Sequence, residues 1–99
     1  MGEKAKYRAA DIRAWLITAA GIDGEAARRA GRAIADAWNA HEFYASATCL
    51  PLAAALSASR LPPARLDDLA DRLAQAFGTH LHDVAAWDRE PHWRKEISR

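Results

Sequence analysis

The chain has a single cysteine, Cys49, and that excludes an internal disulfide and any cysteine-based zinc cluster. A lone thiol is read here as a buried small hydrophobe. No apolar run approaches the ~18 residues of a membrane span, and the first residues lack the apolar segment of a signal peptide. Strand-favouring residues are few, and no glycine-rich phosphate loop occurs. The net charge of +1 leaves no long-range field to steer a polyanion. These absences point to a chain without a membrane or cofactor, read as cytoplasmic, or as acting in a host's cytoplasm if the gene is mobile.

What is present is alanine, about a quarter of the 99 residues and the best helix former. With 51% hydrophobic and 27% charged residues, the chain is globular in composition rather than disordered. Its length suits one domain over residues 1–99, with polar termini at 1–6 and 91–99 and a modest core. Marginal stability would follow, so a homodimer is carried as an alternative.

Hydrophobic periodicity predicts an all-α bundle of about four helices, at 7–20, 24–45, 49–60 and 63–89. In the first helix, Ile12, Trp15, Leu16 and Ala19 share a face. Gly21 should end it, with Ile22 folding back toward Ile17 in a Schellman stop. Asp23 is placed as the N-cap of the second helix. The inner stripe there is Ala27, Ala30, Ile34, Ala37, Trp38 and His41, and the small pair Ala27 and Gly31 would admit a neighbouring helix closely. Ser46 to Thr48 reads as the next connection, with Thr48 as N-cap and Pro51 in the first turn of the third helix. Cys49, Leu52, Ala53 and Leu56 form its stripe, and the Leu61-Pro62-Pro63 step ends it.

From Pro63 the pattern Leu66, Leu69, Ala70, Leu73, Ala76, Phe77, Leu81, Val84 keeps helical phase. Gly78 is a point where this long helix could break, with Thr79 recapping its second half. The expected core is Ile12, Trp15, Leu16, Ile34, Trp38, Leu52, Leu56, Leu66, Leu69, Leu73, Phe77, Leu81 and Val84.

Chemistry finds little footing. His80 and His82 lie about 200° apart on a helix, so they do not form one ligand face, even with Asp83 or His41-Glu42 nearby in space. The i, i+4 histidine pair of helical zinc enzymes is absent. Asp67, Asp68 and Asp71 sit where negative charge complements a helix N-terminus, and Arg65, Asp68 and Arg72 are spaced for ion pairing. Nothing marks Cys49 as an activated nucleophile. No metal, cofactor or catalytic residue is therefore expected.

Surface residues carry the functional expectation. Arg28, Arg29 and Arg32 cluster on the polar side of the second helix, where guanidinium forks could meet phosphate or carboxylate. Phe43 falls on that polar side, Tyr44 at the edge of the inner stripe, and Trp93 in a basic tail. Trp, Tyr and Arg are enriched at binding hot spots. The leading reading is a small non-enzymatic module, an inhibitor, adaptor or accessory subunit, that docks on a larger protein through Arg28, Arg29, Arg32, Phe43, Tyr44 and Trp93. The alternatives are a nucleic-acid-binding subunit using the arginine face and, last, a metal-dependent enzyme.

Overall fold

The computed structural model describes residues 6–81. Four α-helices and one 3₁₀ turn follow in order: α1 (Ala9–Ala20), α2 (Gly24–Asn39), α3 (Ala45–Ala58), the 3₁₀ turn (Pro63–Arg65) and α4 (Leu66–Ala76), with no strand among the described residues. α1 packs on α2, α2 on α3, and α3 on α4. The all-α class and the helix count expected from periodicity are thus observed. The expected 63–89 helix does not run through: a 3₁₀ turn opens it and α4 stops at Ala76, with the break at Gly78 that the sequence offered, while Val84 and the last part of that range lie outside the described residues.

The core follows the periodicity closely. Ile12, Leu16, Ile34, Trp38, Leu52, Leu56, Leu66, Leu69, Leu73 and Leu81 are buried, as is the Cys49 thiol, while Trp15 and Phe77 are half-buried against them. Ala19 is exposed, and Ala20 takes the inward place on α1 instead. Gly31 performs the role expected of it. A Cβ there would stand 2.9 Å from the Ala9 carbonyl oxygen and 3.1 Å from the Arg13 nitrogen. The α1 backbone therefore rests directly on α2, an approach that only a residue without a side chain permits.

The helix ends explain where the expected boundaries were wrong. Gly21 is left-handed, and its amide donates to the Ile17 carbonyl while that of Ile22 reaches Leu16. This is the αL type of stop rather than the expected Schellman pair. Schellman stops close the other three helices: Glu42 to Ala37 with His41 to Trp38, Leu61 to Leu56 with Arg60 to Ser57, and Thr79 to Ala74 with Gly78 to Gln75. The left-handed residue is Gly78 after α4, but His41 after α2 and Arg60 after α3. Side chains rarely adopt that conformation, so a stop at His41 carries no glycine signal. For this reason α2 ends at Asn39 rather than near Tyr44, and His41 is exposed rather than part of the inner stripe.

The α2–α3 connection consequently lies at Ala40 to Tyr44, not at Ser46 to Thr48. Thr48 is no N-cap. It sits inside α3, fully buried, and its Oγ1 accepts the indole N–H of Trp38 at 2.9 Å. Pro51 lies in the middle of α3, where it withholds an amide from the turn before it. Asp23 does hold the N-cap position of α2, but its side chain makes no capping bond. Its amide instead donates to Ser59 Oγ at 2.8 Å, tying the α1–α2 turn to the end of α3.

Asn39, the last residue of α2, clamps the N-terminal segment. Its Oδ1 accepts the Tyr7 N–H and its Nδ2 donates to the Tyr7 carbonyl, both at 2.8 Å. Tyr7 is thereby held ahead of α1, before the extended Arg8, with its ring centroid 5.2 Å from that of Trp38. The clamp accounts for α1 beginning at Ala9 instead of Tyr7.

Candidate functional site

α2 and α3 run antiparallel, and the outer side of their junction is a shallow groove of about 360 Å³. Ala26, Ala30 and Ala33 of α2 form one wall, and Pro51, Ala54, Ala55 and Ala58 of α3 form the other. Leu50 stands at the edge with 49% of its surface exposed. Arg29 provides the polar rim.

The groove exists because both walls are alanine, whose single carbon cannot fill the valley between two helices. It is apolar because α3 has no polar side to speak of. From Phe43 to Ser59 the chain carries no Asp, Glu, Lys or Arg. A helix without charge on any face, with only Ser46 and Ser57 as exposed polar groups, is closer to an interior helix than to a surface one. α3 is covered on one side by α2 and α4, yet Leu50, Ala54 and Ala58 face outward.

The arginine face is organised differently from a row of independent cations. Glu25 accepts Arg28 Nη2 at 2.7 Å and Arg29 Nε at 3.1 Å, so one carboxylate bridges two guanidiniums. Hydrogen bonding by Arg28 and then by Arg29 holds the Glu25 carboxyl far down, at about 2. The same bond raises the Arg28 guanidinium above its ordinary value. All three side chains are well exposed, so the arrangement adds little stability. Its effect is on charge presentation, because the negative centre partly neutralises the two arginines. Arg32 is exposed on the same side, without an ion pair among the described residues.

Of the residues expected at a binding surface, the structure brings only Arg29 to the groove. Arg28 and Arg32 fall further round α2, since each residue advances about 100°. Phe43 is not on the polar side of a helix. It lies in the connection and turns inward, its ring centroid 6.0 Å from Tyr7 and 6.3 Å from Trp38. With Phe77 also 6.2 Å from Trp38, these rings form one aromatic cluster around the indole. Tyr44 precedes α3 and is 60% exposed. Trp93 lies outside the described residues.

Leu50, Pro51, Ala54 and Ala58 were missed in the sequence as surface residues. The signal that could have found them is the charge-free stretch itself, which is long enough to show every side of a helix.

Among the described residues no group of three metal-binding side chains converges, and no helix is long and apolar enough to cross a membrane. His82 and Asp83 lie outside those residues. Arg72 does approach Asp68, at 3.9 Å, and it also lies 5.9 Å from the centre of the Trp15 ring. Comparison of the chain with protein-family models, with curated proteins and with solved structures finds no match.

Proposed function

We propose that this chain is a small non-enzymatic protein-interaction module whose contact surface is the α2–α3 face. The observation that carries the reading is α3: a helix without one charged residue, presenting Leu50, Ala54 and Ala58 outward beside an alanine-walled groove. Contiguous exposed apolar surface with a polar rim is the usual mark of a docking site. Arg29 at the rim supplies the charged group that orients a partner.

The alternative, nucleic-acid binding through the arginine face, has less support. Two of its three arginines share the Glu25 carboxylate, which leaves a small positive excess for phosphate contacts.

A photo-reactive phenylalanine analogue placed at Ala58, on the groove wall, tests the reading in the native host. A discrete protein adduct should form there, and none with the same probe at Asp71 on the outer side of α4. Ala54→Glu, which puts a charge into the face, should abolish the adduct. Equal, diffuse labelling at both positions would refute the assignment.

A further inference from the structure

Resting on that reading, we infer that the occupant of the α2–α3 face is a second copy of this chain, related by a two-fold axis that crosses the two helices at their middle. Two contacts at opposite ends of the helix pair fix its register. Trp38 meets Thr48 at one end, and the Asp23 amide meets Ser59 at the other. The chain from Asp23 to Trp38 therefore runs antiparallel to that from Ser59 to Thr48, about 22 Å against about 17 Å, and the two stretches share a middle. The midpoint of the α2 rim, between Arg32 and Ala33, falls within a turn of Leu52.

An axis at that level sets each helix antiparallel to its own copy, and two independent complementarities coincide. On α2, Arg29, Ala33 and Asp36 lie on one rim, spaced four and three apart, with Arg29 and Asp36 exposed. The axis brings Arg29 level with Asp36 of the second copy, and Asp36 level with its Arg29, two opposite-charge pairs by symmetry. On α3, the same axis brings Leu50 level with Ala54 of the second copy. The one large exposed apolar side chain of this helix then meets the small residue that leaves room for it. A two-fold contact requires this kind of self-matching, because each patch must fit itself.

No like charges are forced together along α3, since it has none. Arg28 and Arg32 point further round α2, away from the axis. Helices of 14 and 16 residues span about 21 and 24 Å. Side by side they offer a face about 20 Å across each way, about 400 Å² on each copy, which suits a weak and reversible dimer.

Sedimentation equilibrium of the purified chain, with Arg29→Asp, Asp36→Arg and the double swap, tests the arrangement. Wild type should dimerise at concentrations below about 1 mM, and each single swap should weaken it by roughly tenfold, because like charges then face each other. The double swap should restore association, since the pairs are re-formed with reversed sign. All of these positions are exposed, so circular dichroism should report the same fold throughout. A wild type that stays monomeric at about 1 mM, or a double swap no better than the singles, would overturn the self-association. If a heavier protein were still captured at Ala58 in the host, the interaction reading would stand with a different occupant. Loss of that adduct as well would remove both.

Discussion

α2 and α3 are neighbours of similar length built to opposite plans. α2 is sided: Ala27, Ala30, Gly31, Ile34 and Trp38 are buried, and Glu25, Arg28, Arg29, Arg32 and Asp36 are in water. α3 carries no charge on any side, with Ser46 and Ser57 as its exposed polar groups, and still leaves Leu50, Ala54 and Ala58 uncovered. The difference teaches which helix is explained by this chain alone. Apart from the Ala33 edge that it lends to the groove, every face of α2 has an intramolecular reason, either packing or solvation. The outer face of α3 has none, and that is why the functional proposal rests there rather than on the arginines.

Substitutions can break the comparison, and the largest effect should come from α2's contact with α1. Gly31→Leu would drive a side chain into the α1 backbone, whose Ala9 oxygen lies only 2.9 Å from the added Cβ. Overpacking of this kind typically costs 1–3 kcal/mol, and here backbone must move, so a loss of about 3 kcal/mol is expected in urea denaturation. A smaller loss would mean that α1 slides easily, and that α2 is less committed within the chain than its burial suggests.

Next comes the bond joining the two helices. Thr48→Val keeps the shape of the side chain but leaves the Trp38 indole N–H without its acceptor in the core. An unsatisfied buried donor costs about 1–3 kcal/mol. Ala54→Glu, only six residues along the same helix, should leave the monomer's unfolding free energy within ~0.5 kcal/mol of wild type because the position faces outward. If both variants lost equal stability, α3 would be enclosed on all sides and the contrast with α2 would disappear.

Much of this was legible in the sequence, for reasons that separate the two helices again. The core residues of α2 and α4 follow the 3.6-residue period because each helix has a wet side to contrast with a dry one. Gly31 was readable as a close-approach site, since its neighbour Ala27 is also small. The α2–α3 boundary was not readable. It depends on His41 adopting a left-handed conformation that composition does not announce, just as the end of α3 depends on Arg60 and the start of α1 on Asn39 clamping a backbone segment distant in sequence. Placing Phe43 on a helix followed from that error, and with it came its reading as a surface anchor. On α3 the stripe of Cys49, Leu52, Ala53 and Leu56 was legible and is buried, but a stretch without charge gives no sign that Leu50 and Ala54 on the other side stand in solvent.

The two left-handed positions offer a stabilising test. His41→Gly and Arg60→Gly remove the Cβ conflict at φ of 63° and 56°, and each should stabilise by about 0.5–1 kcal/mol, net of glycine's greater freedom in the unfolded chain. Thermal denaturation would register this as a rise of a few degrees for a domain of this size. Such a gain would confirm that both helices stop by backbone bonding and not by side-chain chemistry. No gain would mean that His41 and Arg60 make compensating contacts.

The smallest effect decides how α2's wet face is presented. Glu25 is held at about 2 by Arg28 first and Arg29 second, below its ordinary value of 4.5. A carboxyl whose folded value is depressed contributes stability above its unfolded value and loses it as pH falls toward the folded one. The Glu25 contribution should therefore be complete above about 4.5 and fade between there and about 2. Because these side chains are open to solvent, the effect on unfolding will be slight, and carboxyl NMR titration is the measurement that resolves it. A midpoint near 2 that rises in Arg28→Ala would establish the bridge in solution and leave the arginine face largely self-neutralised. An ordinary midpoint would instead release Arg28 and Arg29 to an acidic partner, and the balance between the two helices as contact surfaces would shift toward α2.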